Sequence, residues 1–324
     1  MQKKNVNALA QMVSIAVLLF APSAFAQSEV VPGIHLIRGR FVPGTQPDGN
    51  TVIFHAPDGL VVMDTGRHVQ HTQSLLDFAA SEKASIAAVV NSHWHLDHIG
   101  GNDLVRRAFP KVTIYASNAL AEARTGFLAN YHRQLEEMIA SKTTAPDAAV
   151  RFRTELALID DAAHLAPDVV IDAPGVRKIA GREFEVGLER YAVTAGDVWL
   201  FDTQSGVLAS GDLVTLPAPF LDTACAPRWK ESLDRIGKKN FELLIPGHGP
   251  PLTHRQFDVY RTAFTNLLQC AGSDRKKASC VDGWINGIVP LIRPDEQAFT
   301  RSLMDYYVDM LRRPAAEAAK LCKE

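Results

Sequence analysis

Hydrophobic and polar residues alternate in short runs along the first part of the chain. The runs fall at 34–38, 51–55 and 60–63, and Pro-Asp-Gly turns at 47–49 and 57–59 separate them. Alternation with a period of two is typical of β-strands that bury one face. The pattern therefore predicts a strand-rich segment at the start of the fold.

Helical patterns interleave with strands further along. Residues 68–83 place their apolar side chains on one helical face, whereas 85–91 is an apolar run typical of a buried strand. Residues 118–172 are predicted to be mostly helical with a break at 143–146, and such an insertion would suit a lid beside a site. The remaining predictions are strands at 112–115, 184–193, 198–202, 207–209 and 242–245, and helices at 99–109, 228–238, 255–268 and 296–320.

The first 26 residues differ from the rest. Lys3 and Lys4 precede an apolar stretch at 12–20, which is followed by the small-residue pattern A-F-A at 24–26. This order is typical of a secretory signal peptide that is cleaved after Ala26. Since the apolar stretch is too short to span a bilayer comfortably, we expect no stable membrane anchor after cleavage and a periplasmic or secreted protein.

The composition is that of an ordinary globular protein, with 47% hydrophobic and 22% charged residues. Removal of residues 1–26 takes away two lysines and shifts the formal net charge from -2 to -4. That balance argues against nucleic acid as a partner and leaves a small-molecule substrate. Because no linker rich in Gly, Ser or Pro divides residues 27–324, we expect a single domain.

All four cysteines lie in the second half of the chain, and in an exported protein they can pair in three ways. The short polar spacer between Cys270 and Cys280 would close easily, which leaves Cys225 to pair with Cys322. A soft-metal site is the alternative, but no C-x-x-C spacing supports it.

The densest candidate chemistry lies in N-S-H-W-H-L-D-H-I-G-G, residues 91–101. In an extended segment the imidazoles of His93 and His95 point the same way, so that both can bind one ion. Asp97 and His98 follow closely enough to face a second ion. The cluster therefore predicts a metal site instead of a solvated loop.

This stretch resembles the H-x-H-x-D-H signature of the metallo-β-lactamase superfamily of zinc hydrolases. Asp64 in V-V-M-D-T-G matches an aspartate that the family carries one strand earlier, and we expect it to orient the metal loop through hydrogen bonds. Asp212 in A-S-G-D-L-V matches the aspartate that bridges two metals. His248 in I-P-G-H-G-P matches the last histidine ligand.

The resemblance covers about 33–251 and implies an α+β fold, the four-layer αββα sandwich of this superfamily. The residue pattern adds a helical insertion at about 118–172 and a C-terminal helical extension at 252–324. One or two Zn²⁺ ions per chain are expected. The metal ligands that the resemblance implies are His93, His95, Asp97, His98, Asp212 and His248.

One ligand of the family is missing. The position before the T-x-G turn, where the family places a third histidine, is Val193. The first site therefore keeps His93 and His95, and the second site is expected to bind its ion more securely. His132, His164 or Tyr191 could complete the first site, although each is expected to be structural or solvated.

The predicted function is that of an exported zinc hydrolase that cleaves an ester, lactone, thioester or amide through a metal-activated water. By resemblance, Asp97 binds the second metal and orients this water, which makes it the catalytic residue. A non-hydrolytic metal-binding protein, an iron-dependent oxygenase and a β-lactamase are alternatives. An aspartic protease is not favoured, because F-D-T-Q-S-G at 201–206 lacks the glycine that a second half-site needs.

Apolar residues near the predicted metal loop are candidates for the substrate pocket. Leu216, Phe220 and Leu221 follow Asp212, and they form either a hydrophobic wall for the substrate or part of the core. Three aromatic residues also line the pocket or pack beneath it: Trp94, Phe127 and Tyr131.

Overall fold

Two β-sheets pack face to face. The computed structural model describes residues 27–41 and 45–322, and the signal peptide predicted at 1–26 lies outside them. In the described residues the first sheet has the strand order β1 (Gln27–Val31), β2 (Ile34–Ile37), β3 (Thr51–Ala56), β4 (Gly59–Met63), β5 (Ile86–Val90), β6 (Thr113–Ala116), β7 (Val169–Val170). The second has the order β13 (Leu252–Thr253), β12 (Leu243–His248), β11 (Val207–Thr215), β10 (Asp197–Asp202), β9 (Arg182–Glu189), β8 (Gly175–Ile179).

Helices cover the outer faces of both sheets and form an insertion between β6 and β7. The helices of the first half are α1 (Val69–Ser81), α2 (Leu96–Ile99) and α3 (Asn102–Ala108). The insertion contains α4 (Ala119–Thr125), α5 (Phe127–Ala140), α6 (Pro146–Asp160) and α7 (Ala162–Leu165). The second half contains α8 (Ala226–Ile236), α9 (His254–Ala271), α10 (Lys277–Ile288), α11 (Gln297–Leu311) and α12 (Ala315–Ala318).

Alternation along the strands produces the layers. In β4, Val61 and Met63 face the core between the two sheets, whereas Leu60 and Val62 pack on the other side against Leu75 of α1. Successive side chains of a strand point to opposite faces, so one strand contributes to two cores. The predicted four-layer αββα arrangement is confirmed.

The outer face of the second sheet has its own aromatic core. Trp199 of β10 and Leu244 of β12 belong to one buried cluster with Trp229 of α8, Phe257 of α9 and Trp284 of α10. The C-terminal helices therefore form the fourth layer. Helix α10 was not predicted, since its apolar residues are interrupted by polar and glycine positions.

Parallel strand pairs bring the predicted ligands to one edge of the sandwich. Strand β4 runs parallel to β5, and β11 runs parallel to β12. Asp64 follows β4 directly, and His248 is the last residue of β12. The two sheets are joined at this edge, because the Val198 amide donates a hydrogen bond to the Ser92 carbonyl at 2.6 Å.

The helical insertion packs on the loop that contains the histidines. Trp94 and Leu96 of this loop form a buried cluster with Leu120 of α4, Leu128 of α5 and Leu165 of α7. The insertion therefore covers the ligand loop, as the sequence predicts for a lid. Among the described residues, no helix is both long enough and apolar enough to cross a membrane.

Two predicted elements differ from the structure near the ligand loop. The helix predicted at 99–109 is divided into α2 and α3 at Gly101, where a Cβ atom would lie 2.5 Å from the carbonyl oxygen of Thr65. The strand predicted at 184–193 ends at Glu189, because the chain turns at Tyr191 with a φ of 55°. Close backbone approach and positive φ are tertiary and turn effects that periodicity does not indicate.

Both disulfides have the predicted pairing. Cys270 is bonded to Cys280, and Cys225 is bonded to Cys322, with Cα–Cα distances of 5.4 Å and 4.9 Å. The first bond joins α9 to α10. The second bond ties the start of α8 to the segment that follows α12.

Replacing both Cys225 and Cys322 with serine should lower the free energy of unfolding by about 4 to 5 kcal/mol, because this bond closes a loop of 97 residues. The matched variant without Cys270 and Cys280 opens a loop of only 10 residues and should lose about 3 kcal/mol or less. Denaturant unfolding under non-reducing conditions measures both. Equal losses would contradict the expected dependence on loop length.

Candidate metal site

Three of the predicted ligands meet where the histidine loop faces the end of β12. The Nε2 atom of His248 lies 3.0 Å from Oδ2 of Asp97 and 3.3 Å from Nε2 of His98. Nε2 of His98 lies 3.6 Å from the same Asp97 oxygen. The three ligand atoms lie within 4.8 Å of one another, which is compatible with binding to one divalent cation.

Asp212 lies between this group and a second one. Its Oδ1 atom is 3.2 Å from Nε2 of His98 and 3.6 Å from Nε2 of His248, whereas Oδ2 is 3.7 Å from Nε2 of His93. His93, His98 and Asp212 form the second group of close ligand atoms. The carboxylate of Asp212 therefore lies between the two groups, where a ligand that bridges two metal ions would have to lie.

Asp64 fixes which nitrogen atoms face the site. Its Oδ2 accepts a hydrogen bond from Nδ1 of His98 at 2.8 Å and another from the Ser92 hydroxyl at 2.6 Å. The Ser92 hydroxyl in turn accepts from Nδ1 of His93 at 2.9 Å. With both Nδ1 atoms used in these hydrogen bonds, Nε2 is the atom through which His93 and His98 would bind a metal ion.

His95 is oriented by a contact that the sequence did not indicate. Its Nε2 atom lies 3.0 Å from the hydroxyl of Thr223, and that hydroxyl donates to the carbonyl of Val193 at 2.9 Å. Since the hydroxyl proton is used, Nε2 of His95 is the donor, and its Nδ1 carries the lone pair. The His95 ring lies 4.4 Å from that of His93, but His95 joins neither group of close ligand atoms.

Burial and charge set the protonation states. Burial lowers the pKa of His93 well below its ordinary value and that of His95 to about 4, so both rings are neutral at pH 7. Burial alone would raise the pKa of Asp97, but the charges on His98 and His248 hold it well below its usual range. The same balance lowers the pKa of Asp212. Burial alone would lower the pKa of His98 and His248, but the charges on Asp212 and Asp97 raise it, so a bound cation would replace the protons on these two imidazoles.

Among the predicted ligands, two buried atoms lack hydrogen bonds, and a cation would interact favourably with both. Nε2 of His93 and Oδ1 of Asp212 are inaccessible to solvent and have no hydrogen-bond partner within the described chain. Buried polar atoms are almost always paired, because an unpaired one costs free energy. A nitrogen lone pair and a carboxylate oxygen are both ligands for zinc and similar ions, so the residues fit a bound metal.

Glycine allows the close approach around these ligands. A Cβ atom on Gly247 would lie 1.9 Å from Oδ1 of Asp212, and one on Gly49 would lie 2.5 Å from the His98 ring. Neither position can hold a larger residue without displacing a predicted ligand.

Two of the three residues considered as substitutes for the missing histidine, His132 and His164, contact carboxylates elsewhere, and Tyr191 belongs to neither group of close ligand atoms. His132 forms ion pairs with Glu136 and Asp160 on the outside of the insertion. His164 contacts Asp161 in a partly exposed cluster. Val193 itself is fully buried in the core beside the second sheet.

Arg67 and Glu155 connect the lid to the site, and neither was predicted from the sequence. Nη2 of Arg67 lies 3.7 Å from Oδ1 of Asp97, and its Nη1 forms a buried ion pair with Glu155 of α6. Tyr131 of α5 also donates to Glu155 at 3.5 Å. The position of Arg67 directly after M-D-T-G could have indicated that it lies near the site. Nothing in the sequence around Glu155 distinguishes it from other acidic residues on helices.

A pocket of about 380 Å³ opens beside the ligands. His95, Asp97, Asp212 and His248 lie at its polar end, together with Arg67. The aromatic residues predicted to line the pocket are among its walls: Trp94, Phe127 and Tyr131. Leu216 and Phe220 also line it, whereas Leu221 is buried in the core beside the second sheet.

Residues 44–248 match the family model described as the metallo-beta-lactamase superfamily, which is more than half of the chain. The chain belongs to the metallo-β-lactamase superfamily. Members of this superfamily are mostly hydrolases and generally bind metal ions. All six predicted ligands, as well as Asp64, lie within or at the end of the matched segment.

Individual relatives share the fold at low sequence identity. An (R)-specific secondary-alkylsulfatase from Pseudomonas sp is 26% identical over 256 residues, which are 69% of this chain but only 36% of that protein. The chain therefore spans about a third of that relative. The structure of a stereoselective inverting sec-alkylsulfatase from Pseudomonas sp. aligns with a TM-score of 0.56 at 23% identity, over 76% of this chain and 42% of that one. A metallo-beta-lactamase from Pontibacter korlensis aligns with a TM-score of 0.55 at 21% identity, over 74% and 99%.

Replacing Asp64 with asparagine should weaken metal binding about 10- to 100-fold, because the orientation of His93 and His98 depends on its carboxylate. Asparagine tolerates the positive φ of 64° at this position, so the backbone should be preserved. Competition of the purified protein with a chromogenic chelator measures the affinity.

The matched control is Asp77→Asn, which removes the same charge from an exposed position on α1. It should leave the affinity unchanged. Equal metal affinity in the Asp64 variant and the parent protein would contradict the proposed orienting contact.

Proposed function

We propose that this protein is an exported zinc-dependent hydrolase that cleaves an ester, lactone, thioester or amide bond in a small molecule. The observation that carries the proposal is the convergence of Asp97, His98, Asp212 and His248, of which all but the buried His98 line a pocket. Zinc is favoured because imidazole and carboxylate ligands in a small buried set suit this ion.

A bound zinc ion would supply an acidic water whose pKa is near 7 and a Lewis acid for the substrate oxygen. The protein side chains would position the attacking water and the substrate. Asp97 is kept ionised between His248 and Arg67, so its carboxylate can accept a hydrogen bond from the attacking water and orient it. The apolar walls limit access of other water to the reacting bond.

Export is part of the proposal. The pattern of residues 1–26 is that of a signal peptide, and two disulfides agree with an oxidising compartment such as the periplasm. The proposed partner is a small-molecule substrate, without nucleic acid and without a stable membrane anchor after cleavage.

A second candidate function is hydrolysis of an alkyl sulfate, which the similarity to a secondary-alkylsulfatase favours. This reaction would use the same metal ligands of this chain, but the bond cleaved would belong to a sulfate ester. The same ligand set would also suit a β-lactamase, an iron-dependent oxygenase or a non-hydrolytic metal-binding protein. A panel that contains a chromogenic ester, a lactone, a cephalosporin and an alkyl sulfate separates the hydrolases.

The purified protein should contain one or two zinc ions per chain, and a chelator should abolish its hydrolysis of the panel. Replacing Asp97 or His248 with alanine should remove metal and activity together, because each side chain is a proposed ligand of the more secure site. Elemental analysis and initial rates measure the two effects.

His55→Ala is the matched control, since His55 lies near the end of β3 and belongs to no group of close ligand atoms among the described residues. It should keep zinc content and rates. Stoichiometric iron with oxygen-dependent turnover would instead favour the oxygenase, and bound metal without hydrolysis of any panel compound would favour the non-hydrolytic protein.

Replacing Val193 with histidine should increase the affinity for a second zinc ion, because it restores a third imidazole beside His93 and His95. Titration of metal-free protein with zinc measures the stoichiometry. Val193→Leu controls for the change of volume in this buried position. Unchanged zinc stoichiometry in a folded histidine variant would count against the proposed equivalence of this position.

A further inference from the structure

Helix α11 lies outside the segment that matches the superfamily, yet it lines the pocket at the metal site. The other walls come from α5, from the loop after β11, from the histidine loop and from the segment between β2 and β3. The pocket residues of α11 share a spacing of four: Phe299, Leu303 and Tyr307. Residues four apart lie on one face of a helix, so this face is directed at the pocket.

The neighbouring face of α11 packs in the protein core. Thr300, Met304 and Val308 are fully buried, and the latter two belong to the core that the C-terminal helices share with the second sheet. One helical face therefore anchors α11. The pocket-lining side chains of Phe299 and Leu303 are only partly buried; Leu303 also packs against this core, whereas Phe299 is not part of it.

Apolar side chains continue to the mouth of the pocket. The ring of Phe299 stacks on that of Phe41 with centroids 4.6 Å apart, and Phe41 is 48% exposed. Phe127 is 38% exposed, and its ring lies 5.5 Å from that of Trp94. Exposed aromatic residues around a concave surface are typical of a site that binds an apolar ligand.

Charged groups are confined to one end of the pocket. Asp97, Asp212 and His248 lie there with Arg67, whereas α11 contributes no charged residue to the lining. A substrate that fills the pocket must therefore be polar where it meets the ligands and apolar along α11.

We infer that α11 forms one wall of a binding site for an apolar acyl chain, and that the substrate is an ester or thioester of such a chain. This inference rests on the proposed hydrolysis at the adjacent metal site. Phe299 and Leu303 are then the residues that determine chain-length preference.

A series of 4-nitrophenyl esters from acetate to hexanoate tests the inference with the zinc-loaded protein. Each methylene that enters the pocket should raise kcat/KM about fourfold, so hexanoate, with four more methylenes, should exceed acetate by up to about 250-fold. Leu303→Gln should reduce this ratio at least tenfold, because a polar amide would replace the apolar wall.

Ser302→Gln is the matched control, since it introduces the same side chain on the exposed face of α11. Its hexanoate-to-acetate ratio should equal that of the parent protein. If Leu303→Gln does not fold by circular dichroism, Phe299→Gln is measured in its place. Equal rates for acetate and hexanoate, or an unchanged ratio in the folded pocket variant, would overturn the inference.

A binding measurement separates this inference from the proposed function. Calorimetric titration of the metal-free protein with 1-butanol and 1-hexanol should give an affinity that rises about fourfold per methylene and is lost in the pocket variant. Such binding without hydrolysis of any ester would leave the apolar site standing and contradict the proposed esterase activity. Hydrolysis of the acetate and hexanoate esters at equal rates, with no alcohol binding, would support the proposed esterase activity and contradict the apolar site.

Discussion

The buried carboxylate of Asp64 is the constraint on which the candidate site depends. It accepts hydrogen bonds from the Ser92 amide, the Ser92 hydroxyl and Nδ1 of His98, and through the hydroxyl it also orients His93. A charge of this kind is tolerated inside a protein only when it is fully hydrogen-bonded. The end of β4 and the loop after β5 are therefore held in one arrangement.

The fold and most candidate ligands could be predicted because their signals are local. Strands such as β3 and β4 have a clear period of two, and His93 to His98 are contiguous in the sequence. Asp212 and His248 have no such local signal, and only the resemblance to the superfamily identified them. Their meeting with His98 follows from the parallel pairing of β11 with β12 at the shared edge.

The contacts that the sequence did not indicate join positions far apart in the chain. Thr223 meets His95 across 128 positions, and Glu155 meets Arg67 across 88. Each of these residues has an ordinary neighbourhood in the sequence, so composition and periodicity carry no information about its partner. Gly101 is similar, because the space it leaves is filled by the carbonyl of Thr65, which lies 36 positions earlier in the chain.

The two disulfides are nested, and this has a consequence for how the protein acquires them. The bond between Cys225 and Cys322 encloses the bond between Cys270 and Cys280. If the chain is exported as proposed, oxidation in the order in which the cysteines leave a translocation channel would first join Cys225 to Cys270, which is a non-native pair. Such a pair would have to be exchanged before both native bonds could form, so the nested arrangement makes the order of oxidation matter.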